Sequence, residues 1–158
     1  MIGIIIHLED RWNYTQSDRD IDVLQMYQET VRAFNVDTLI IIDKTTEGIV
    51  HKFIGVDTVY ATYKTLKEAL HAYPDVTKIY FEHENAIPAG TEYSPLNDLI
   101  HPKDNVLYIF GGDEQGLNLV EIPLEKDDKI VSIQFTKYIL WSIVSMTTVL
   151  YDRYLKGK

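Results

Sequence analysis

Five short apolar runs punctuate the chain, each of strand length, and polar loops or helical patterns separate them: Ile2 to His7, Thr38 to Ile42, Lys78 to Glu82, Asn105 to Phe110 and Lys129 to Phe135. Thr38 to Ile42 has four β-branched residues in five, which favours a pleated, buried strand. Between the runs, Leu24, Tyr27, Val31 and Phe34 share one face of a helix expected from about Asp20 to Phe34. Asp43 to Phe53 reads as polar and irregular, and Gly55 to Tyr60 as a short extended segment. Thr65-Leu66-Lys67-Glu68 is a capping box, and Leu66, Ala69, Leu70 and Tyr73 continue it as an apolar face until Pro74 stops the helix. Ser94-Pro95 carries the signature of a helix start, predicting a short helix that ends near His101-Pro102. Strands alternating with helices in this way imply an α/β fold, with a mostly parallel sheet and helices on both faces. Ligands in such folds sit beyond the carboxyl ends of the strands, here the loops after His7, Ile42, Glu82, Phe110 and Phe135.

The last helix, expected from about Lys137 to Leu155, carries two adjacent apolar rows. Ile139, Ile143, Met146 and Leu150 form one, and Leu140, Val144, Thr147 and Tyr151 the other. A stripe that wide exceeds a single contact with a sheet, so it implies either a second copy of the chain or unusually deep burial.

With 158 residues, 46% of them hydrophobic, the chain reads as one domain spanning 1–158. A domain of that size buries roughly 70% of its unfolded surface without disulfides or structural metal. The absence of cysteine excludes thiolate metal sites and a cysteine nucleophile, and suits a reducing compartment. The first apolar run lacks a basic leader and stops at His7-Leu8-Glu9-Asp10, too short for a signal peptide or a membrane span, so the expected location is cytoplasmic. The net charge of −9 opposes casual binding of nucleic acid, because Lys and Arg are scattered along the chain.

The segment richest in chemistry is Phe110-Gly111-Gly112-Asp113-Glu114-Gln115-Gly116-Leu117, an apolar strand running into glycines and carboxylates. Paired glycines at a strand end admit close approach of a ligand, and Asp113 and Glu114 offer acceptors. An ordinary acidic turn has the same composition. A phosphate cradle is excluded, since no lysine follows and two carboxylates repel phosphate.

Those residues resemble the FGxExxGL motif of the SPOUT methyltransferases, in the branch of SpoU-like RNA ribose 2′-O-methyltransferases. Further pieces follow in order. Ala33-Phe34-Asn35-Val36 is similar to the family's "AFGV" helix end, and Tyr63 to Leu70 to its "sLeeAl" helix. Ser94 to Leu99 resembles the segment before the motif strand, Asp128 to Ile133 the "D..v.IP" strand, and Leu150-Tyr151-Asp152 the "lLYE" ending. The resemblance spans nearly the whole chain, with no appended RNA-binding domain. It implies a C-terminal deep trefoil knot, a homodimer packed through the C-terminal and N-terminal helices, and S-adenosylmethionine held by three loops. By position those loops are Glu82 to Asn85, Gly111 to Gly116 and Ile133 to Leu140, which makes Glu82, His83, Gly111, Gly112, Gly116, Leu117, Ile133 and Leu140 the expected cofactor-binding residues.

Departures from the family pattern fall on its polar positions. The Asn and Arg of its first helix fall on Val23 and Glu29, the motif's Glu on Asp113, the proline of "IP" on Gln134, and the closing "SLN" on Ile139-Leu140-Trp141. Glu29 would repel an RNA phosphate where the family has a cation. Arg11, Asn13 and Arg19 follow the first strand and stand on the side RNA would approach, though a solvated loop accounts for them equally simply. His83 is a candidate general base, against the simpler reading of a solvated loop histidine. No HxH, HExxH or GxSxG occurs, so neither a metal site nor a serine hydrolase is expected.

Taken with the resemblance, these residues imply an S-adenosylmethionine-dependent methyltransferase acting on a ribose 2′-hydroxyl of tRNA or rRNA, with Asp113, Glu114 and Arg19 as its catalytic candidates. The alternative is a catalytically diverged SPOUT-fold dimer that binds a ligand or a protein. A flavodoxin-like nucleotide module lacks the phosphate loop it would need.

Overall fold

The structure, a computed structural model, describes residues 1–7, 18–42, 58–112, 116–133 and 142–157. Within them lie seven strands: β1 (Ile2–His7), β2 (Thr38–Ile42), β3 (Val59–Tyr63), β4 (Thr77–Glu82), β5 (Ser94–Pro95), β6 (Val106–Phe110) and β7 (Lys129–Ser132). Three helices join them: α1 (Asp18–Ala33), α2 (Leu66–His71) and α3 (Ser142–Lys156). The strands form one sheet in the order β3-β2-β1-β6-β4-β7-β5, and every pairing is parallel. The chain grows outward from β1 to β2 and β3 on one side, then resumes on the other with β4. The order reverses at the β1–β6 boundary, and parallel pairing sends the carboxyl ends of β1, β6, β4 and β7 to the same edge.

Period-two alternation divides the core between the faces. Ile4, Ile6, Leu39, Ile41, Ile79, Phe81, Tyr108, Phe110 and Val131 face α1 and α3, where they meet Tyr27, Val31, Met146, Val149 and Leu150. Ile5, Ile40, Ile42, Tyr80, Leu107, Ile109 and Ile130 face the other way, against Ala69 of α2 and Leu117 and Leu119. Helices therefore cover both faces, as the alternation requires. Each fully buried Leu, Ile or Met side chain stabilises the fold by about 2 kcal/mol.

The helix signals resolve in detail. Thr65 caps α2 by accepting from the Glu68 backbone N–H at 3.2 Å, and the Glu68 carboxylate reaches back to Lys64 N–H at 3.2 Å, one residue before the capping-box position. After α1, Asn35 takes φ +52°, while Val36 N–H bonds Val31 O at 2.9 Å and Asn35 N–H bonds Arg32 O at 3.1 Å. That is a Schellman ending, with asparagine in the left-handed position that glycine most often takes.

Three expectations need correction. Ser94-Pro95 opens no α-helix: it pairs with Val131 and Ser132 as the edge strand β5, and a 3-10 turn over Leu96–Asp98 follows. Proline is admitted there because an edge strand leaves one side unpaired. Of the extended segment expected over Gly55 to Tyr60, residues 55–57 lie outside the described ones, and the described strand continues past Tyr60, running from Val59 to Tyr63 and pairing with β2. Helix α2 ends at His71, so Tyr73 packs from beyond its end.

Helix α3 settles one open question within the chain. Met146, Val149 and Leu150 are buried, but Val144 (45%), Tyr151 (54%), Tyr154 (51%) and Leu155 (50%) keep about half their surface exposed. The described part of the second apolar row, Val144, Thr147 and Tyr151, is left uncovered by the sheet. The far end of α3 is tied down by polar contacts: Arg153 donates to Pro102 O, Lys103 O and the Tyr108 hydroxyl, and Lys156 to the carbonyls of Leu96, Asn97 and Leu99. No helix among the described residues is long and apolar enough to cross a membrane.

Candidate functional site

At the carboxyl edge of the sheet, the ends of β4, β6 and β7 and the first turns of α3 surround a narrow cleft. Its lining is Phe81, Glu82, His83, Phe110, Gly111, Gly112, Gly116, Ile133, Ser142 and Ser145. Six expected cofactor residues, Glu82, His83, Gly111, Gly112, Gly116 and Ile133, are thereby brought together from three separate loops. Leu117 lies just behind them, 5% exposed, and takes part through its backbone.

Glu82 organises this corner. It ends β4, is 6% exposed, and its carboxylate accepts from Leu117 N–H at 2.6 Å and from His83 N–H at 2.9 Å. Burial is the main influence on it and pushes its pKa up; the two backbone donors and the nearby His83 act in the opposite sense. Gly116 sits against the same carboxylate at φ +61°, and a Cβ there would lie 2.8 Å from Glu82 Cδ. A Cβ on Gly111 would lie 2.5 Å from Leu117 N. The expectation that these glycines exist to admit a ligand is thus incomplete: Gly111 and Gly116 are required by the protein's own backbone and by Glu82. An antiparallel bridge between Gly112 and Gly116, with Gly116 N–H on Gly112 O at 3.2 Å, closes the motif loop.

His83 is buried rather than solvated, at 6% exposure, and its Nδ1 accepts from Asn85 N–H at 3.3 Å to cap the 3-10 turn Glu84–Ala86. Ser142 Oγ donates to Gly111 O at 2.5 Å and fastens the start of α3 to the end of β6. Ser142 and Ser145 were missed in the sequence. Hydroxyls near the start of an apolar helix were the available signal, hidden because they lie three residues apart within a run read as core.

Asp113, Glu114, Leu140, Ile139, Trp141, Gln134, Arg11 and Asn13 lie outside the described residues. Arg19 and Val23 fall within α1 by backbone, and their side chains are likewise outside. Glu29 is not part of the cleft lining; it is exposed on α1 beside Gln25, Met26, Thr30 and Ile143 of α3. Among the described residues no three His, Asp or Glu side chains are grouped as a metal ion requires.

Compared with solved structures, the chain is matched over almost its full length by methyltransferases. A protein studied for the 2-OH methylation of C/U34 on tRNA aligns with 99% of this chain and 90% of its own, at TM-score 0.68 and 11% identity. A putative RNA methyltransferase from Bacillus anthracis aligns with 99% and 94%, at TM-score 0.66 and 15% identity. A TrmH/SpoU tRNA modifying enzyme from A. aeolicus aligns with 98% and 74%, at TM-score 0.64 and 13% identity. No protein-family model and no curated protein matches the sequence. The chain shares the α/β fold of these neighbours. At these identities the likeness is one of architecture.

Proposed function

We propose that this protein binds S-adenosylmethionine in the cleft and methylates a ribose 2′-hydroxyl of a tRNA or rRNA. The observation that carries the reading is the convergence of the Gly111–Leu117 motif loop with the ends of β4 and β7, at the switch edge of a fold shared with RNA methyltransferases. The lining fits the cofactor chemically. Phe81, Phe110 and Ile133 offer an apolar wall, Ser142 and Ser145 offer hydroxyls, and Glu82 is a buried carboxylate suited to a cation. The free volume is about 30 Å³, room for about two waters, so the walls must part on binding.

When bound, S-adenosylmethionine supplies an electrophilic methyl group on a sulfonium. The motif loop and Glu82 orient it, and the aromatic wall of Phe81 and Phe110, stacked 5.0 Å apart, excludes water from one side. Asp113 and Glu114 follow Gly112 directly, and we assign to them removal of the hydroxyl proton as the oxygen takes the methyl. Arg19, near the start of α1, is assigned to an RNA phosphate. The same reading carries a C-terminal trefoil knot, a cytoplasmic location and a homodimer through α1 and α3.

The dimer rests on the exposed row Val144, Tyr151, Tyr154 and Leu155, beside Met26 of α1 at 46% exposure. Introducing Tyr151→Glu with Leu155→Glu is expected to weaken association by about 100-fold, since charge is placed where apolar area is buried. Sedimentation at micromolar chain should then show two chains for the wild type and one for the variant, with unchanged circular dichroism.

A second reading is a binding protein without methyltransferase activity. It is favoured by the cleft lining, which among the described residues contains no Lys or Arg to meet RNA, and by Glu29 at the family's arginine position. Calorimetric titration with S-adenosylmethionine tests both. Binding at micromolar concentration, with slowed amide exchange over Gly111 to Leu117, supports the enzyme; no heat at millimolar cofactor would sink it.

A further inference from the structure

Glu82 has a charge problem that its neighbours do not solve. The carboxylate is 6% exposed, and its two hydrogen bonds come from neutral backbone N–H groups. Among the described residues no Lys or Arg forms an ion pair with it; those ion pairs lie elsewhere, at Lys78–Glu125 and Lys156–Asp152. The remaining cleft residues are apolar rings, glycines, an isoleucine, two serines and His83. A buried carboxylate with no described cation beside it favours a positive ligand over a neutral ligand of equal shape, because the low local dielectric strengthens the attraction.

Resting on the cofactor reading above, we propose that Glu82 makes the cleft a charge selector, holding the sulfonium of S-adenosylmethionine more tightly than the neutral thioether of S-adenosylhomocysteine. The two molecules differ only by the methyl group and its charge, and the amino-acid and nucleoside portions cancel in a comparison. Transfer of the methyl leaves the S–C electron pair on sulfur and so removes the charge. Product release then follows from the reaction itself, without a separate trigger.

The test is a pair of calorimetric titrations, S-adenosylmethionine and S-adenosylhomocysteine, on the full chain and on Glu82→Gln. The substituted amide keeps the shape of the carboxylate and its one oxygen can still accept from Leu117 N–H, while its NH2 gives up the bond from His83 N–H; folding of the variant is verified by its melting curve. The wild type should prefer the sulfonium by about tenfold, and Glu82→Gln should bring the ratio to near one. If the variant does not fold, the wild-type ratio as a function of pH decides. Protonation of Glu82 should collapse the preference in acid, and its burial places that collapse above the ordinary carboxylate range. His83 is the described titratable group acting on Glu82. Charge changes at His83, and at Asp113 and Glu114 beside Gly112, also act on a bound cation, and the residual pH dependence of Glu82→Gln separates all of these from Glu82. Equal binding of both ligands by the wild type, or a ratio unchanged in Glu82→Gln, overturns the selector while leaving cofactor binding intact. Binding of neither ligand overturns both.

Discussion

Replacing Gly116 by valine is expected to lower the melting temperature by about 10 °C, corresponding to about 3 kcal/mol for a chain of this size. Two costs combine. Gly116 has φ +61°, a conformation that costs a residue with a Cβ about 1–2 kcal/mol. The added carbons also overlap the Glu82 carboxylate, which cannot retreat without giving up Leu117 N–H and leaving a buried donor unsatisfied. Gly116→Ala should show the same direction with a smaller shift. Combining Gly116→Ala with Glu82→Ala should recover the steric part and not the backbone part, a coupling that a double-mutant cycle over thermal melts reads directly. Additive losses would mean that Gly116 and Glu82 are not pressed together. The experiment also separates a structural glycine from a ligand-binding one, since the loss of stability appears without any ligand.

The second large effect concerns the latch at the far end of α3. His101 is buried between Tyr108 and Asp152, with Nδ1 2.8 Å from the tyrosine hydroxyl and Nε2 2.9 Å from Asp152 Oδ2. One proton arrangement satisfies every partner. Arg153 donates to Tyr108, Tyr108 donates to Nδ1 of neutral His101, and Nε2–H donates to Asp152. A protonated ring would leave the tyrosine proton without an acceptor. Burial is the largest influence on His101 and lowers its pKa; Asp152 acts in the opposite sense, Arg153 and Lys156 add to the lowering, and the net shift is downward. A histidine depressed in the native state binds fewer protons there than when unfolded, so stability rises with pH across that interval. The contribution is present above the unfolded value of 6.5 and is lost as pH falls from there toward the native value. Glu82 acts in the opposite sense, because its raised pKa makes the native state the better proton acceptor above 4.5. Thermal melts from pH 8 to 5 on Glu82→Gln should therefore show the histidine effect without the opposing contribution of Glu82. Asp152→Asn, which also weakens the anchor of Lys156, is expected to cost about 2 kcal/mol; a variant as stable as wild type would show the latch to be idle.

Much of the sheet was legible in the residues. A run such as Thr38 to Ile42 has no other way to hide four β-branched side chains, and all five residues are buried. Thr65 and Glu68 announced α2 through a local mechanism that needs no distant partner. Ser94-Pro95 misled because its local signal is real but weak, and pairing with Val131 and Ser132 outweighed it. The cleft was half legible. Its loops, and Phe110, followed from the rule about strand ends and from the glycine motif, whereas Ser142, Ser145 and Phe81 entered through packing between elements far apart in the chain.

Periodicity and turn chemistry thus determined, from sequence alone, a parallel α/β sheet covered on both faces and a glycine-rich turn at a strand's carboxyl end, since each depends on neighbours within a few residues. Only the tertiary structure decided that Glu82 and Gly116, 34 positions apart in the numbering, occupy one corner, that His83 is buried, and that the second apolar row of α3 stays uncovered. Those facts depend on which strands lie side by side and on what burial does to a charge, and no local pattern of residues encodes either.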